Sequence, residues 1–334
     1  MTKAEPLRTI PALYRILWRV SDPGRISLPE PLEYLPLRAG PFRLAMGLKD
    51  LRLDDWIEID RHYPEQLALK RRLFDERREE VFAALPGSET ASREVLDLLI
   101  EHLCCRFPDW FERRDRTLTN RITAETWATD ASPLHPLELA SRLVQEDLCL
   151  MQRRQDRYVL SAACVCFPSR WTLAEKMGRP LRGIHEPVPG YELTLATPAD
   201  RFFEVITPDR PAWRLNWTIH EQPDLFQPTA PVPPLEILTP ENAGERLWFR
   251  VERQTLRRLP ASGDILFTIR TYVSRVAEVA RDAKTAAQLA ESLGHWPEEV
   301  VGYKGGRWLD AALNWLRAQA QKKQDANAEQ GPSV

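Results

Sequence analysis

Three short segments, WRLNWTI (213–219), RLWFRVERQTL (246–256) and ILFTIRTY (265–272), set arginines and polar partners between tryptophan, phenylalanine and branched aliphatic residues. On a strand, successive side chains point to opposite faces. The spacing therefore predicts Arg214, Asn216 and Thr218 on one side, then Arg250, Glu252 and Gln254, then Thr268, Arg270 and Tyr272. Neighbouring strands carrying these sets would share one polar, mostly cationic face. Guanidinium groups there hold an anionic or electron-rich ligand by charge-assisted hydrogen bonds. Glu252, the one carboxylate within the three segments, would compensate a bound cation. The same alternation also describes the solvent-facing side of a half-buried antiparallel sheet, but Arg, Asn, Glu and Tyr opposite Trp and Phe suit a pocket. Glu252 and Arg253 point to opposite faces unless a bulge intervenes, so they enter that pocket as alternatives rather than as a pair.

The elements that must position these residues follow from periodicity. Residues 1–64 are proline-punctuated and aromatic, and 41–60 reads as an arm or short hairpin packed on something larger. Leu67, Leu73, Phe74, Val81 and Phe82, then Val95, Leu98, Leu99 and Leu103, recur at helical spacing on either side of Pro86-Gly87-Ser88, which predicts two amphipathic helices. A third is expected at 136–146. EDLCLMQ (146–152) and RYVLSAACVCF (157–167), separated by a polar RRQD turn, predict a hairpin. Helices follow around 171–178 and 198–206, the second opening on Thr197 as cap and Pro198 in the first turn. After the three arginine-bearing strands, 273–293 and 307–318 again fit helices, and QKKQDANAEQGPSV (321–334) reads as a polar disordered tail. The expected organisation is thus an N-terminal arm and helical extension (1–140), a core (141–275), C-terminal helices (276–320) and the tail. The order strand, strand, short helices, strand, strand, strand outlines a PAS-like α+β fold, in which a five-stranded antiparallel sheet closes over helices to form a ligand cavity.

Composition bounds what the pocket can serve. With 43% hydrophobic residues and 11 Trp in 334 residues the chain can build a substantial core. Its 46 Lys and Arg against 48 Asp and Glu give a net charge of −2, so nothing global draws it to nucleic acid or an anionic membrane. No stretch approaches 18 consecutive apolar residues and the N-terminus shows no secretory leader pattern, so a cytoplasmic location is expected. Cys104, Cys105, Cys149, Cys164 and Cys166 make an odd set without C-x-x-C spacing, the pattern of buried free thiols rather than of disulfides, zinc or iron–sulfur. No G-x-G-x-x-G or P-loop pattern is present.

The segment FPSRWTLAEKMGRPLRGIHEPVPGY (167–191) sets one histidine, His185, in a proline-flanked corner. That segment, together with WRLNWTI, VERQTLRRLP (251–260), ILFTIRTY and PFRLAMGLKDLRLDDWIEIDRHYPEQLALKRRLF (41–74), closely resembles the haem-dependent oxidative N-demethylase family, specifically its haem-binding α subunit. The similarity covers roughly residues 40–275, in several long blocks in the same order.

The resemblance implies an oxidoreductase that uses haem b, O₂ and NADPH-derived electrons to remove a methyl group from a small secondary amine such as dimethylamine, leaving the primary amine and formaldehyde. It implies one axial protein ligand to the iron, His185 by its place in the block, with His220 as the rival. Cys164 and Cys166 offer a thiolate alternative, disfavoured because apolar surroundings raise a thiol's pKa. Arg214, with Arg270 and Arg253 behind it, is the expected donor to charge developing on oxygen. Glu252 is the expected acceptor for the amine, and Asn216 and Tyr272 are expected to orient ligands. A separate reductase carrying FMN and a 2Fe-2S centre and a tetrahydrofolate-binding subunit are implied as partners. The exposed faces of the terminal helices are plausible docking surfaces for them, though ordinary packing on the core is the expected role of those helices. The competing reading is a haem-binding PAS sensor or binding module without catalysis.

Overall fold

The structure is a computed structural model that describes residues 27–31, 33–38, 40–230, 237–304 and 306–329, with side chains to residue 321. Its first part comprises β1 (Lys49–Asp50), a 3-10 turn (Leu53–Asp55), α1 (Tyr63–Val81), β2 (Phe82–Ala84), α2 (Glu89–Arg106), β3 (Phe111–Arg114), β4 (Thr117–Asn120), β5 (Glu125–Ala128) and α3 (Pro136–Ser141). The hairpin β6 (Asp147–Arg154) and β7 (Arg157–Cys164) follows, then α4 (Leu173–Lys176), α5 (Leu181–His185), α6 (Tyr191–Thr194) and α7 (Ala196–Val205). The remainder is β8 (Ala212–His220), α8 (Ala243–Arg246), β9 (Trp248–Arg258), β10 (Ile265–Arg275), α9 (Val276–Val279), α10 (Ala283–Gly294), α11 (Glu298–Tyr303) and α12 (Leu309–Glu329).

The main sheet is antiparallel and has seven strands in the order β1-β8-β9-β10-β6-β7-β2, not the five expected. Its five long strands are those read from the sequence. The additions are β1, which pairs Lys49 with Trp213 and Asp50 with Ala212, and β2, which pairs with β7. Strands of two and three residues carry no period for a sequence pattern to register. Nor is 41–60 a hairpin: its only strand adds to an edge of the main sheet. A second sheet, β3-β4-β5, is not among the expected elements; its turns hold Asp115 and Ala124 at positive φ with no glycine to mark them.

Alternation divides the long strands between cores on opposite faces. One face of β6, β7 and β10 sends Leu148, Leu150, Ala162, Cys164 and Leu266 against α1 and α2. The other sends Cys149, Met151, Ala163 and Ile265, with Leu256 of β9, against Leu173 of α4, Leu181 of α5 and Phe203 of α7. A third core joins Ile219, Phe249 and Val251 to α10 and α12, where Leu289, Leu293 and Leu316 are fully buried; each such leucine contributes about 1.5–3 kcal/mol. Buried Lys70 fastens α1 to the entry of β6 through the carbonyls of Ser141, Val144 and Glu146, and stands 3.9 Å from the Asp147 carboxylate.

Several boundaries move. The third helix stops at Ser141, and β10 runs to Arg275, where 273–293 is expected to be helical, because Val273 and Arg275 pair with Arg250 and Trp248. Leu195, not Thr197, precedes α7, since α6 runs almost directly into it; the Thr197 hydroxyl instead accepts from Arg182. Helix-forming Gln, Lys and Ala carry α12 to Glu329, through most of the expected disordered tail; residues 330–334 lie outside the described residues. Among the described residues no helix is long and apolar enough to cross a membrane.

Candidate functional site

The β8–β9 register sets Arg214 opposite Gln254, Asn216 opposite Glu252 and Thr218 opposite Arg250, so those six side chains share a face as expected. The third set does not join them. β10 pairs Arg270 with Arg253, Tyr272 with Val251 and Thr268 with Thr255, an odd offset that turns Thr268, Arg270 and Tyr272 to the other side of the sheet. The single shared polar face is thereby corrected to two.

On the far face, Arg253 Nε meets Glu58 at 3.0 Å and its other nitrogens donate to the carbonyls of Asp55 and Trp56. Arg270 meets Asp60 at 2.6 Å and Gln66 at 2.9 Å. The Tyr272 hydroxyl donates to Glu58, as does that of Tyr34. Glu58 and Asp60 come from the stretch after the 3-10 turn. The pattern Ile57-Glu58-Ile59-Asp60 alternates apolar and acidic residues, the signal that could have found these partners.

On the near face, the carboxylate of Glu252 is held through one oxygen. Asn216 Nδ2 and Gln254 Nε2 both donate to Oε2, at 3.3 and 3.0 Å, and Oε1 has no hydrogen bond among the described residues. Arg214 is more unusual. Its guanidinium makes no hydrogen bond or ion pair among the described residues, its Nε is buried without an acceptor, and burial lowers its pKa while the Glu252 charge acts in the opposite direction. The residue is half-buried, so its Nη groups are open to a ligand that supplies an acceptor.

His185 closes α5, the five-residue helix that Pro187 and Pro189 prevent from continuing; Gly190, at φ 75°, then turns the chain into α6. Its Nδ1 is 2.9 Å from the Leu181 carbonyl oxygen. That oxygen only accepts, so Nδ1 carries the hydrogen. Burial holds the imidazole pKa below its ordinary value, with the Leu181 bond opposing and the charges of Arg214 and Lys176 adding to the depression. The ring is therefore neutral, and its lone pair is on Nε2, which has no hydrogen bond among the described residues. Tyr191 stacks on it, ring centroids 4.5 Å apart and planes 11° apart. A depression of about 420 Å³ along residues 185–193 reaches both rings. The larger one, about 710 Å³, lies along α2 near Pro260 and contains none of these groups.

The rivals are placed differently. His220 is 2% exposed; Nε2 is 3.2 Å from Ser169 Oγ, and burial, with Arg250 and Arg170 nearby, depresses its pKa to about 3. Cys164 and Cys166 pack into the α1–α2 core, away from His185, and burial pushes both thiols up. Among the described residues no three His, Cys, Asp or Glu side chains cluster as a metal site.

These residues fit a haem. A neutral imidazole with one nitrogen anchored and the other open has the form of an axial ligand. Partly exposed Trp171, Met177, Ile184, Phe202 and Phe267 edge the adjoining core, apolar surface of the kind a porphyrin covers. Arg214 supplies a cation without a hydrogen-bond or ion-pair partner among the described residues. Tyr191, absent from the sequence reading, also belongs here: its ring stacks on His185 and the charge of Arg214 acts on it. A family model described as haem-dependent oxidative N-demethylase, alpha subunit-like, matches residues 47–313. All of the groups just described fall within that match, and the chain belongs to this family.

Proposed function

We propose that this chain is the haem-binding subunit of an oxidative N-demethylase acting on a small secondary amine such as dimethylamine. The observation that carries the reading is His185, anchored through Nδ1 and with no hydrogen bond to Nε2 among the described residues, on the same side of the sheet as Arg214, whose Nε has no acceptor there either. The spatial order of the long strands, β8-β9-β10-β6-β7, with α4–α7 packed on one face, supports a PAS-like core. When bound, haem b supplies the oxygen activation and electron transfer that oxidise the methyl group.

The chain's own residues bind, orient and hold charge. His185, kept in one tautomer by Leu181, would hold the haem iron through Nε2. Arg214 offers donors to negative charge in the pocket. Glu252, fixed by Asn216 and Gln254 through Oε2, presents Oε1 to the amine N–H. Arg253, Arg270 and Tyr272 brace the back of the same strands through Glu58 and Asp60. Electrons from NADPH reach this chain from a reductase carrying FMN and 2Fe-2S, and a tetrahydrofolate-binding subunit receives the formaldehyde.

The visible spectrum of haem-loaded protein, oxidised and reduced, with and without dimethylamine, tests the reading. The expected result is a Soret band that responds to the amine, is lost in His185→Ala and is retained in His220→Ala. Stoichiometric haem in His185→Ala would remove His185 as ligand, and a Soret band indifferent to amine would leave a binding module.

A further inference from the structure

Pro187 and Pro189 have no amide hydrogen, and this leaves a gap at the end of α5. In a continuing helix residue 187 would donate to the Gly183 carbonyl and Val188 to that of Ile184. Proline at 187 cannot, and the Val188 amide turns instead to the His185 carbonyl, at 2.9 Å. Carbonyls orphaned in this way need donors from outside the helix. Lys176, the last residue of α4, supplies the one at Ile184, its Nζ 2.6 Å from the oxygen. Arg179 Nη1 reaches the Gly183 carbonyl at 3.5 Å, a longer contact from an exposed side chain. Lys176 is half-buried, and the chain just after it is tied to the sheet: Gly178 N donates to the Leu160 carbonyl at 2.9 Å and Leu160 N to the Arg179 carbonyl at 3.1 Å, which joins that segment to β7.

We propose that Lys176 is a positioning residue for the axial ligand: by taking the Ile184 carbonyl it clamps the end of α5 to α4 and fixes the backbone from which the His185 ring would reach the haem iron. The inference rests on reading His185 as that ligand. The bond from His185 Nδ1 to the Leu181 carbonyl lies within α5, so it fixes the ring against the helix but not the helix against the protein. A helix of five residues has little stability of its own. Its first residue, Leu181, is buried in the core, whereas Arg182 pairs with Glu192 and Asp200 on the exposed surface, where ion pairs contribute little. At the end that carries His185, the hold on a neighbouring element is the Lys176 ammonium, a charged donor to a helix-terminal carbonyl.

The test uses the protein both free of haem and loaded with it. In haem-free Lys176→Met, hydrogen exchange of the Ile184 and Val188 amides should quicken, because α5 loses its clamp. In the loaded protein, haem transfer to excess apomyoglobin should run about tenfold faster than from wild type, the lower end of what losing a group behind a metal ligand costs. Lys176→Arg, which keeps a charged donor, should stay near wild type in both. Lys176→Gln, one bond too short to keep the contact, should repeat the losses, and it stands in if the methionine variant does not fold. In His185→Gly supplied with imidazole the ligand is no longer joined to α5, and adding Lys176→Met should leave haem release unchanged. Wild-type exchange and release in Lys176→Met, a loss in Lys176→Arg equal to that in Lys176→Met, or an undiminished effect in the His185→Gly background would each overturn the proposal. His185→Ala separates the two readings. Stoichiometric haem in that variant removes His185 as ligand and the proposal with it; loss of haem there, with release from Lys176→Met at the wild-type rate, leaves His185 in place and removes only Lys176.

Discussion

Replacing Asp60 with Asn tests whether Arg270 braces the sheet from behind or lines the pocket. Arg270 is 0% exposed and Asp60 4%, and they meet at 2.6 Å. Arg270 also donates to Gln66 Oε1 and the Thr271 carbonyl, both at 2.9 Å. Asp60 also accepts from the His62 amide at 2.9 Å and from Gln145 Nε2 at 3.2 Å. Removing one member of a buried ion pair costs about 3–5 kcal/mol, because the remaining charge stays buried. Gln66 stays on Arg270 and Asn keeps the shape of Asp, so the lower end, about 3 kcal/mol, applies. At about 2 °C per kcal/mol for a chain of this size, Tm should fall by about 6 °C. Circular dichroism measures the melt, and the Soret band of the haem-loaded variant should keep its position and its response to dimethylamine, because the sheet lies between Asp60 and the His185 face. The double variant Asp60→Leu, Arg270→Met should recover much of the loss, since apolar replacement of a buried pair is often neutral. An Asp60→Asn protein that melts with wild type but shifts the Soret band would refute the two-face assignment.

Two further expectations concern stability. The His220 pKa is depressed to about 3 by burial first and by Arg250 next, so between about pH 6.5 and 3 the unfolded chain binds a proton that the folded chain does not, and stability falls as pH is lowered through that window by up to ~1.4 kcal/mol per pH unit. Asp147, raised by burial to about 6, acts in the opposite sense, so urea unfolding of His220→Gln should be compared with wild type at each pH; a variant with the wild-type slope would argue against the assignment. A Cβ on Gly244 would stand 2.1 Å from Cζ2 of Trp315, so Gly244→Ala should cost about 1–3 kcal/mol by forcing α8 from α12, measured by denaturant midpoint, with unchanged stability showing that α12 can shift.

The long elements were legible because they are periodic. Leu67 to Leu103 gave α1 and α2, and alternation gave β6 to β10 with the grouping of Arg214, Asn216, Glu252 and Gln254 on one face. Which face β10 presents was not legible, because parity within a strand is fixed locally whereas register between strands is set by turns and packing. The loop 259–264, in which Leu259 N donates to the Asp264 carbonyl, sets Ile265 opposite Arg258 and every later pair with it. Tyr191 was invisible for another reason: it follows His185 in the same proline-flanked corner, and only the folding of α5 and α6 stacks its ring on the imidazole.

That register has a chemical consequence. Had β10 paired one residue further along, Arg270 would face Glu252 and Gln254, and the pocket would hold Arg214, Arg250 and Arg270 against a single carboxylate. Arg250 is spared that role as well, because its guanidinium donates to the carbonyls of Phe167, Pro168, Asp224 and Leu225, which ties the chain on either side of the α4–α7 region to β9. The far-face arginines have carboxylates of their own in Glu58 and Asp60. What is left near Glu252 is one fixed cation, Arg214, which has no hydrogen-bond or ion-pair partner among the described residues. A fixed cation suits an anionic or oxygen ligand that must always be held. Dividing the arginines between the two faces leaves that one cation beside a single carboxylate on adjoining strands.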